Sequence, residues 1–154
     1  MKIRTILLTM AALFAVVAVC FAADVNMGTW KLNEAKSKIS PGAPKNTMVV
    51  ITAAGDGVKV TVERIGADGK PAHNEWTGKY DGKDYPITGD PASEMRAYKR
   101  VNDHTLALTE KKGGKITNTG RVVVSADGKN RTVTVSGTDA NGKKTIATFV
   151  YDKQ

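Results

Sequence analysis

Pairs of residues that tolerate a positive backbone φ recur along this chain at a steady pitch, and they constrain its fold more than any other feature. Asp56-Gly57, Asp68-Gly69, Asp81-Gly82, Gly113-Gly114, Asp127-Gly128 and Asn141-Gly142 are all of this kind. Such pairs are what two-residue hairpin turns demand. Gly89-Asp90-Pro91 and Asn102-Asp103 fill the longer gap in the middle. Most intervals run from 11 to 15 residues, the length of one strand plus one tight turn. Four of the pairs share the form Asp/Asn-Gly-Lys, ending at Lys70, Lys83, Lys129 and Lys143. A calcium loop would need several acids at alternate positions. Each of these sites has at most one, so they read as hairpin turns.

Between the turns the hydrophobic period is two. Val58, Val60 and Val62 alternate with Lys59, Thr61 and Glu63, and Val133 and Val135 alternate with Thr132 and Thr134. Leu106 and Leu108 alternate with Thr105, Ala107 and Thr109. Near the end, Ile146 and Val150 share one face while Ala147, Phe149 and Tyr151 share the other. This alternation marks strands with one buried face. The single helical candidate is Asn33 to Ile39, where Asn33 would cap one turn before Pro41 stops it. The pattern predicts a strand near Met27–Leu32 and about eight more between Lys45 and Lys153. A meander of that size hides its edges best by closing on itself. The expected fold is therefore all-β, a single antiparallel up-and-down barrel of about 8–10 strands. Beyond the first segment, the large apolar residues number about 32, enough to line one barrel but a thin core for two packed sheets.

That first segment reads as a secretory signal peptide over residues 1–22, leaving a barrel domain over 23–154. Lys2 and Arg4 make a positive start, an apolar stretch runs from Ile6 to Phe21, and Cys20 and Ala22 take the small-residue positions before the cut. The competing reading is a retained anchor, for which the run is short against a span of about 20 residues. Cys20 offers a further alternative, lipidation as a bacterial lipoprotein, although branched Val19 precedes it where a small residue is wanted. Ordinary cleavage would remove the one cysteine, and with it disulfides, thiol catalysis and cysteine zinc sites. The location implied is periplasmic or secreted, with no transmembrane anchor after cleavage.

The full chain carries a formal charge of +8, and loss of Lys2 and Arg4 leaves 21 basic and 15 acidic residues. The excess is spread from Lys31 to Lys153 with no run longer than two, as on a solvated strand surface. The sharper reading is attraction to anionic glycans, lipid head groups or nucleic acid. Export and the scarcity of aromatic residues argue against nucleic acid.

Met27-Gly28-Thr29-Trp30-Lys31-Leu32 resembles the opening of the lipocalin and fatty-acid-binding-protein superfamily, with Gly-x-Trp on the first strand. The close of the chain, Val150-Tyr151-Asp152-Lys153, is similar to the last strand of the fatty-acid-binding branch. Tyr80-Asp81-Gly82-Lys83 through Pro86 and Gly89 resembles small exported bacterial proteins described only as lipocalin-like. The resemblance implies that Trp30 plugs the closed end of a barrel, that Gly28 lets the chain bend just before it, and that a late basic residue covers the indole. Arg131, Lys143 and Lys144 are the candidates for that cover. The plainer reading of Trp30 is a large core residue. Two departures stand out. Phe149 occupies the place of the arginine that grips a fatty-acid carboxylate in the family, and Asn33 to Asn46 has room for one turn where the family has a helical pair.

No motif for catalysis is visible. The serines lack a Gly-x-Ser-x-Gly setting. Asp84, Asp90 and Glu94 cluster around turns, where acids are common. His73 and His104 fall on different expected strands; they could share a metal with a carboxylate such as Glu75, but no spacing supports it. The expectation is a protein without catalytic residues, metal or cofactor, and a monomer. The candidate ligand-binding group is Trp76, Tyr80, Arg96 and Tyr98, with Tyr85 nearby: aromatic walls with one arginine suit a small ligand. Cross-strand pairs or ordinary core would use the same residues. The function that follows is an exported carrier or sensor binding a small, hydrophobic or amphipathic molecule. The alternative is a filled barrel acting as an envelope interaction module through its basic outer surface.

Overall fold

The computed structural model describes residues 24–138 and 142–154; the expected signal segment and Cys20 lie outside them. Ten strands follow in order: β1 (Gly28–Leu32), β2 (Lys45–Ala54), β3 (Gly57–Ile65), β4 (Pro71–Gly78), β5 (Tyr85–Thr88), β6 (Met95–Asn102), β7 (Thr105–Lys112), β8 (Lys115–Val124), β9 (Asn130–Thr138) and β10 (Lys144–Lys153). Each pairs antiparallel with its sequence neighbours, and β1 pairs with β10. The sheet is a closed up-and-down barrel, so each of these strands has a paired neighbour on both sides. Among the described residues no helix is long and apolar enough to cross a membrane.

The alternating residues point as their period demands. Val49, Ile51, Val58, Val60, Val62, Leu106, Leu108, Val122, Val133, Phe149 and Tyr151 are buried in one continuous core, while Ile146 is exposed. The ten strands fall within the expected 8–10, and one of them is not seen as a strand in the sequence. That strand is β5, four residues including Pro86, which read as part of a connection. It makes only two register pairs with each neighbour. The first hairpin also turns one residue earlier than expected, at Gly55 (φ +58°), and Gly57 opens β3 instead. Asn33 caps a single 3₁₀ turn, Glu34–Lys36, its Oδ1 accepting from the Lys36 N–H at 3.2 Å.

One end of the barrel is shut. Trp30 is fully buried there and donates its Nε1–H to the Asn26 carbonyl at 2.8 Å. Gly28, at φ +113°, makes the bend that leads into it, a conformation costly for any residue with a Cβ. The indole is covered by Lys153, not by the residues expected from sequence. Lys153 is the register partner of Trp30 across the β1–β10 seam. Arg131 instead lies over Tyr151, its own cross-strand partner, at 5.8 Å. Lys144 starts β10 at the opposite end of the barrel, with Lys143 beside it.

Candidate functional site

The other half of the barrel is hollow. A cavity of about 470 Å3 lies between the strands and opens at the end away from Trp30, where Ser40, Ala43, Pro44 and Ala92 form part of its mouth. Its apolar lining comes from strands around the barrel: Val49, Val60, Val62, Leu108, Val133 and Phe149. Between them lies a polar network whose members are set by strand register. Arg96, Glu110 and Asn118 stand directly opposite one another on β6, β7 and β8. Arg96 donates from Nε to Glu110 Oε1 at 2.8 Å, and Asn118 donates from Nδ2 to Glu110 Oε2 at 2.9 Å. Ser93 adds a longer bond to the same oxygen, 3.4 Å. Burial works to push the Arg96 guanidinium down, but Tyr98, Glu110 and Asp90 around it hold it above its ordinary value.

Asp90 enters this network from the β5–β6 loop. Its carboxylate lies 3.1 Å from Arg64 Nη1 and 3.8 Å from Arg96 Nη2. Gly89 is what turns the chain inward there. It sits at φ +75°, and a Cβ on it would fall 2.1 Å from the His73 carbonyl oxygen, so no other residue fits without moving β4.

Three buried polar atoms of the wall have no hydrogen-bond partner: Arg64 Nε, Arg131 Nε and Asn74 Oδ1. Unpartnered buried polar groups are rare in folded proteins, and each is costly unless something fills it. Arg131 is the sharpest case. It is 3% exposed, and among the described residues no carboxylate pairs with it. Its neighbour Tyr151, also in the wall, has its phenol pushed up to about 12 by burial.

Of the four candidate residues, the structure places two in the cavity wall. Arg96 and Tyr98 line it; Trp76 and Tyr80 lie nearer the closed end. Trp76 is buried beneath Tyr98, edge-on at 5.0 Å, and donates Nε1–H to the Arg96 carbonyl at 2.9 Å. Tyr80 packs on Tyr98 at 5.9 Å and under the Arg100 guanidinium at 5.1 Å. Tyr85 meets Trp76 edge-on at 5.8 Å. These aromatic rings make a floor below the cavity more than a wall around it. The short β5 explains the arrangement, because it leaves Trp76 on β4 free to reach Tyr98 on β6.

Sequence reasoning missed Arg64, Asn74, Glu110 and Asn118, and it gave Asp90 and Arg131 other roles, a turn acid and a cover for Trp30. Parity held the signal for most of them. Arg64 continues the series Val58, Val60, Val62; Glu110 continues Leu106, Leu108; Arg131 precedes Val133, Val135; Asn74 precedes Trp76 by two. A polar residue at the inward position of a strand that is otherwise apolar inside is placed in the interior by the same period of two.

The other polar candidates scatter. Asp84 pairs with Lys111 at 2.6 Å, and Glu94 accepts from the Gly113 N–H at 3.0 Å. His73 stands between Glu63, at 2.8 Å, and Glu75, at 3.4 Å, on the outer surface. The hydrogen bond to Glu63, helped by Glu75, raises its pKa above the ordinary histidine value. His104 reaches the Val124 carbonyl at 3.1 Å instead. Among the described residues no group of three or more His, Cys, Asp and Glu is placed to hold a metal ion.

No protein-family model matches the chain, and no curated protein matches it. The closed antiparallel barrel is compatible with a calycin-like fold.

Proposed function

We propose that the protein is a binding barrel of lipocalin-like type, exported from the cell, that holds a small and partly apolar molecule without transforming it. The observation that carries this reading is the cavity: about 470 Å3, within the roughly 300–1,000 Å3 typical of small-molecule sites, lined by apolar side chains together with a buried polar network. The apolar body of a ligand would lie against Val49, Val60, Val62, Val133 and Phe149, where leaving water contributes about 0.8 kcal/mol per methylene. A hydrogen-bond acceptor on the ligand would meet Arg131 Nε and fix its orientation. The barrel would serve as a carrier, sink or sensor.

Native mass spectrometry of the protein purified gently from its own exporting cell tests this. A discrete added mass that is lost on denaturation is the expected result, together with fluorescence enhancement of the uncharged probe N-phenyl-1-naphthylamine on titration. A bare polypeptide mass that stays bare after exposure to a lipid extract, with no probe binding, overturns the reading. Binding of an anionic polymer through the basic outer surface, the alternative reading, would weaken steeply with ionic strength.

A further inference from the structure

We propose that Arg64 and Arg96 form an anion subsite at the mouth of the cavity, that Asp90 fills it in place of a ligand, and that the ligand carries an anionic group which takes the position of the Asp90 carboxylate. The group is a carboxylate, sulfonate or phosphate monoester. This inference rests on the reading that the cavity binds a ligand.

Asp90 differs from every other charged group in the wall because it belongs to a loop. Its side chain is only 7% exposed, and its own Oδ1 is held by the Ala92 N–H at 3.0 Å. The remainder of the loop is fastened down. Ile87 N–H donates to the Glu94 carbonyl at 3.0 Å, Glu94 N–H to the Lys111 carbonyl at 2.8 Å, and Lys112 Nζ to the Pro91 carbonyl at 2.6 Å. Exchange of Asp90 for another anion therefore needs rotation of one side chain and no opening of the loop.

The two arginines are unequally served. Arg96 has its own partner in Glu110. Arg64 has Asp90 alone, through Nη1, and its Nε is buried without an acceptor. Guanidinium groups bind anions best through two parallel donors. Asp90, tethered by its loop, engages one of them. An untethered anion in the same place would take two parallel bonds from the Nη1–Nη2 edge of Arg64, while Nε lies on the other edge of the guanidinium. The cavity wall as a whole holds three arginines, Arg64, Arg96 and Arg131, against the two acids Asp90 and Glu110, so its field favours an incoming negative group.

The test compares two probes that differ by a sulfonate, 8-anilinonaphthalene-1-sulfonate and uncharged N-phenyl-1-naphthylamine, on wild type, Asp90→Asn and Arg64→Gln. Asp90→Asn is expected to bind the sulfonate about tenfold more tightly, and Arg64→Gln about tenfold more weakly, the size of one charge-assisted hydrogen bond. Affinity for the uncharged probe should move by less than about twofold, the separation expected when only a charged contact changes. Opposite signs in the two variants exclude general loosening of the barrel as the cause. The sulfonate should also raise the melting temperature of Asp90→Asn more than that of wild type. An unchanged ratio of the two affinities in both variants overturns the inference. So does sulfonate binding that falls only with Arg131→Gln, since the anion would then sit deeper. If the uncharged probe binds and the charged one shows no preference, this inference alone fails; if neither binds, the cavity reading fails with it.

Discussion

The ammonium nitrogen of Lys153 stands 4.9 Å from the centre of the Trp30 indole, and the two residues are paired across the β1–β10 seam that closes the barrel. The plug of the closed end and the seam of the sheet are thus one structure. The segment before β1 joins it: Asn26 accepts the indole N–H, its side chain donates to Asp24 Oδ1 at 3.0 Å, and Asp24 is ion-paired with Arg100 on β6. Burial works against ionisation of Asp24, but the bonds from Asn26 and Arg100 outweigh it and lower its pKa.

Replacing Trp30 by alanine should cost about 3–5 kcal/mol, the range for deleting a fully buried large aromatic. Lys153→Met keeps an aliphatic stem over the ring and loses the cation–π contact, so it should cost no more than about 1 kcal/mol. Urea denaturation of the two variants gives both numbers. Equal costs would mean that the ammonium, and not the volume of the indole, holds the seam.

The Arg96–Glu110 pair makes a second prediction. Both side chains are buried, so removing one leaves an uncompensated charge. Glu110→Gln should destabilise by about 3–5 kcal/mol, and the double change Arg96→Met with Glu110→Leu should recover most of that loss. Denaturation midpoints at unchanged slope would check it. A double variant as unstable as the single one would show that the pair itself, and not its imbalance, holds the network.

Much of this was legible in the sequence, for a physical reason. A period of two is a local property, and so are the turn residues; together they specified an antiparallel barrel, while the plugging role of Trp30 came only from the resemblance of Met27–Leu32 to the lipocalin and fatty-acid-binding opening. β5 escaped because four residues with one proline carry too little period to be seen. The cover of Trp30 escaped because it depends on register across the seam, which joins the two ends of the sheet. The cavity escaped in a different way. Its polar wall obeys the strand period, yet Asp90 arrives from a loop, and only the fold brings it to Arg64. Whether a barrel is hollow is set by how inward side chains meet across it, which no single strand records.

The tyrosines make a prediction in base. Burial pushes the phenols of Tyr80 and Tyr151 up, that of Tyr151 to about 12. A folded-state pKa above the unfolded value means that the stabilisation is fully present below the unfolded value, about 10, and is lost as pH rises through the folded one. Stability should therefore fall between about pH 10 and 12, and phenolate absorbance should rise steeply with unfolding in that window. Tyr151→Phe should make the fall shallower. Ordinary, gradual ionisation of all tyrosines in a still-folded protein would contradict the burial of both rings.

Two valines of similar chemistry should respond differently to enlargement. Val135 on β9 lines the cavity, half-buried, with open space before it; Val122 on β8 is 1% exposed and packed in the closed half. Enlarging a packed core residue costs about 1–3 kcal/mol because neighbours leave their rotamers. Val122→Phe should lose that amount. Val135→Phe meets the cavity instead of a wall, so its stability should change by less than about 1 kcal/mol in either direction, the extra buried surface offsetting any crowding. It should at the same time displace N-phenyl-1-naphthylamine, since the ring would occupy the space the probe needs. Calorimetric melting and probe titration on the same two samples decide the matter. Equal destabilisation of the two variants would mean that the β9 side of the barrel is as tightly filled as the β8 side, and probe binding that survives Val135→Phe would place the probe outside the cavity.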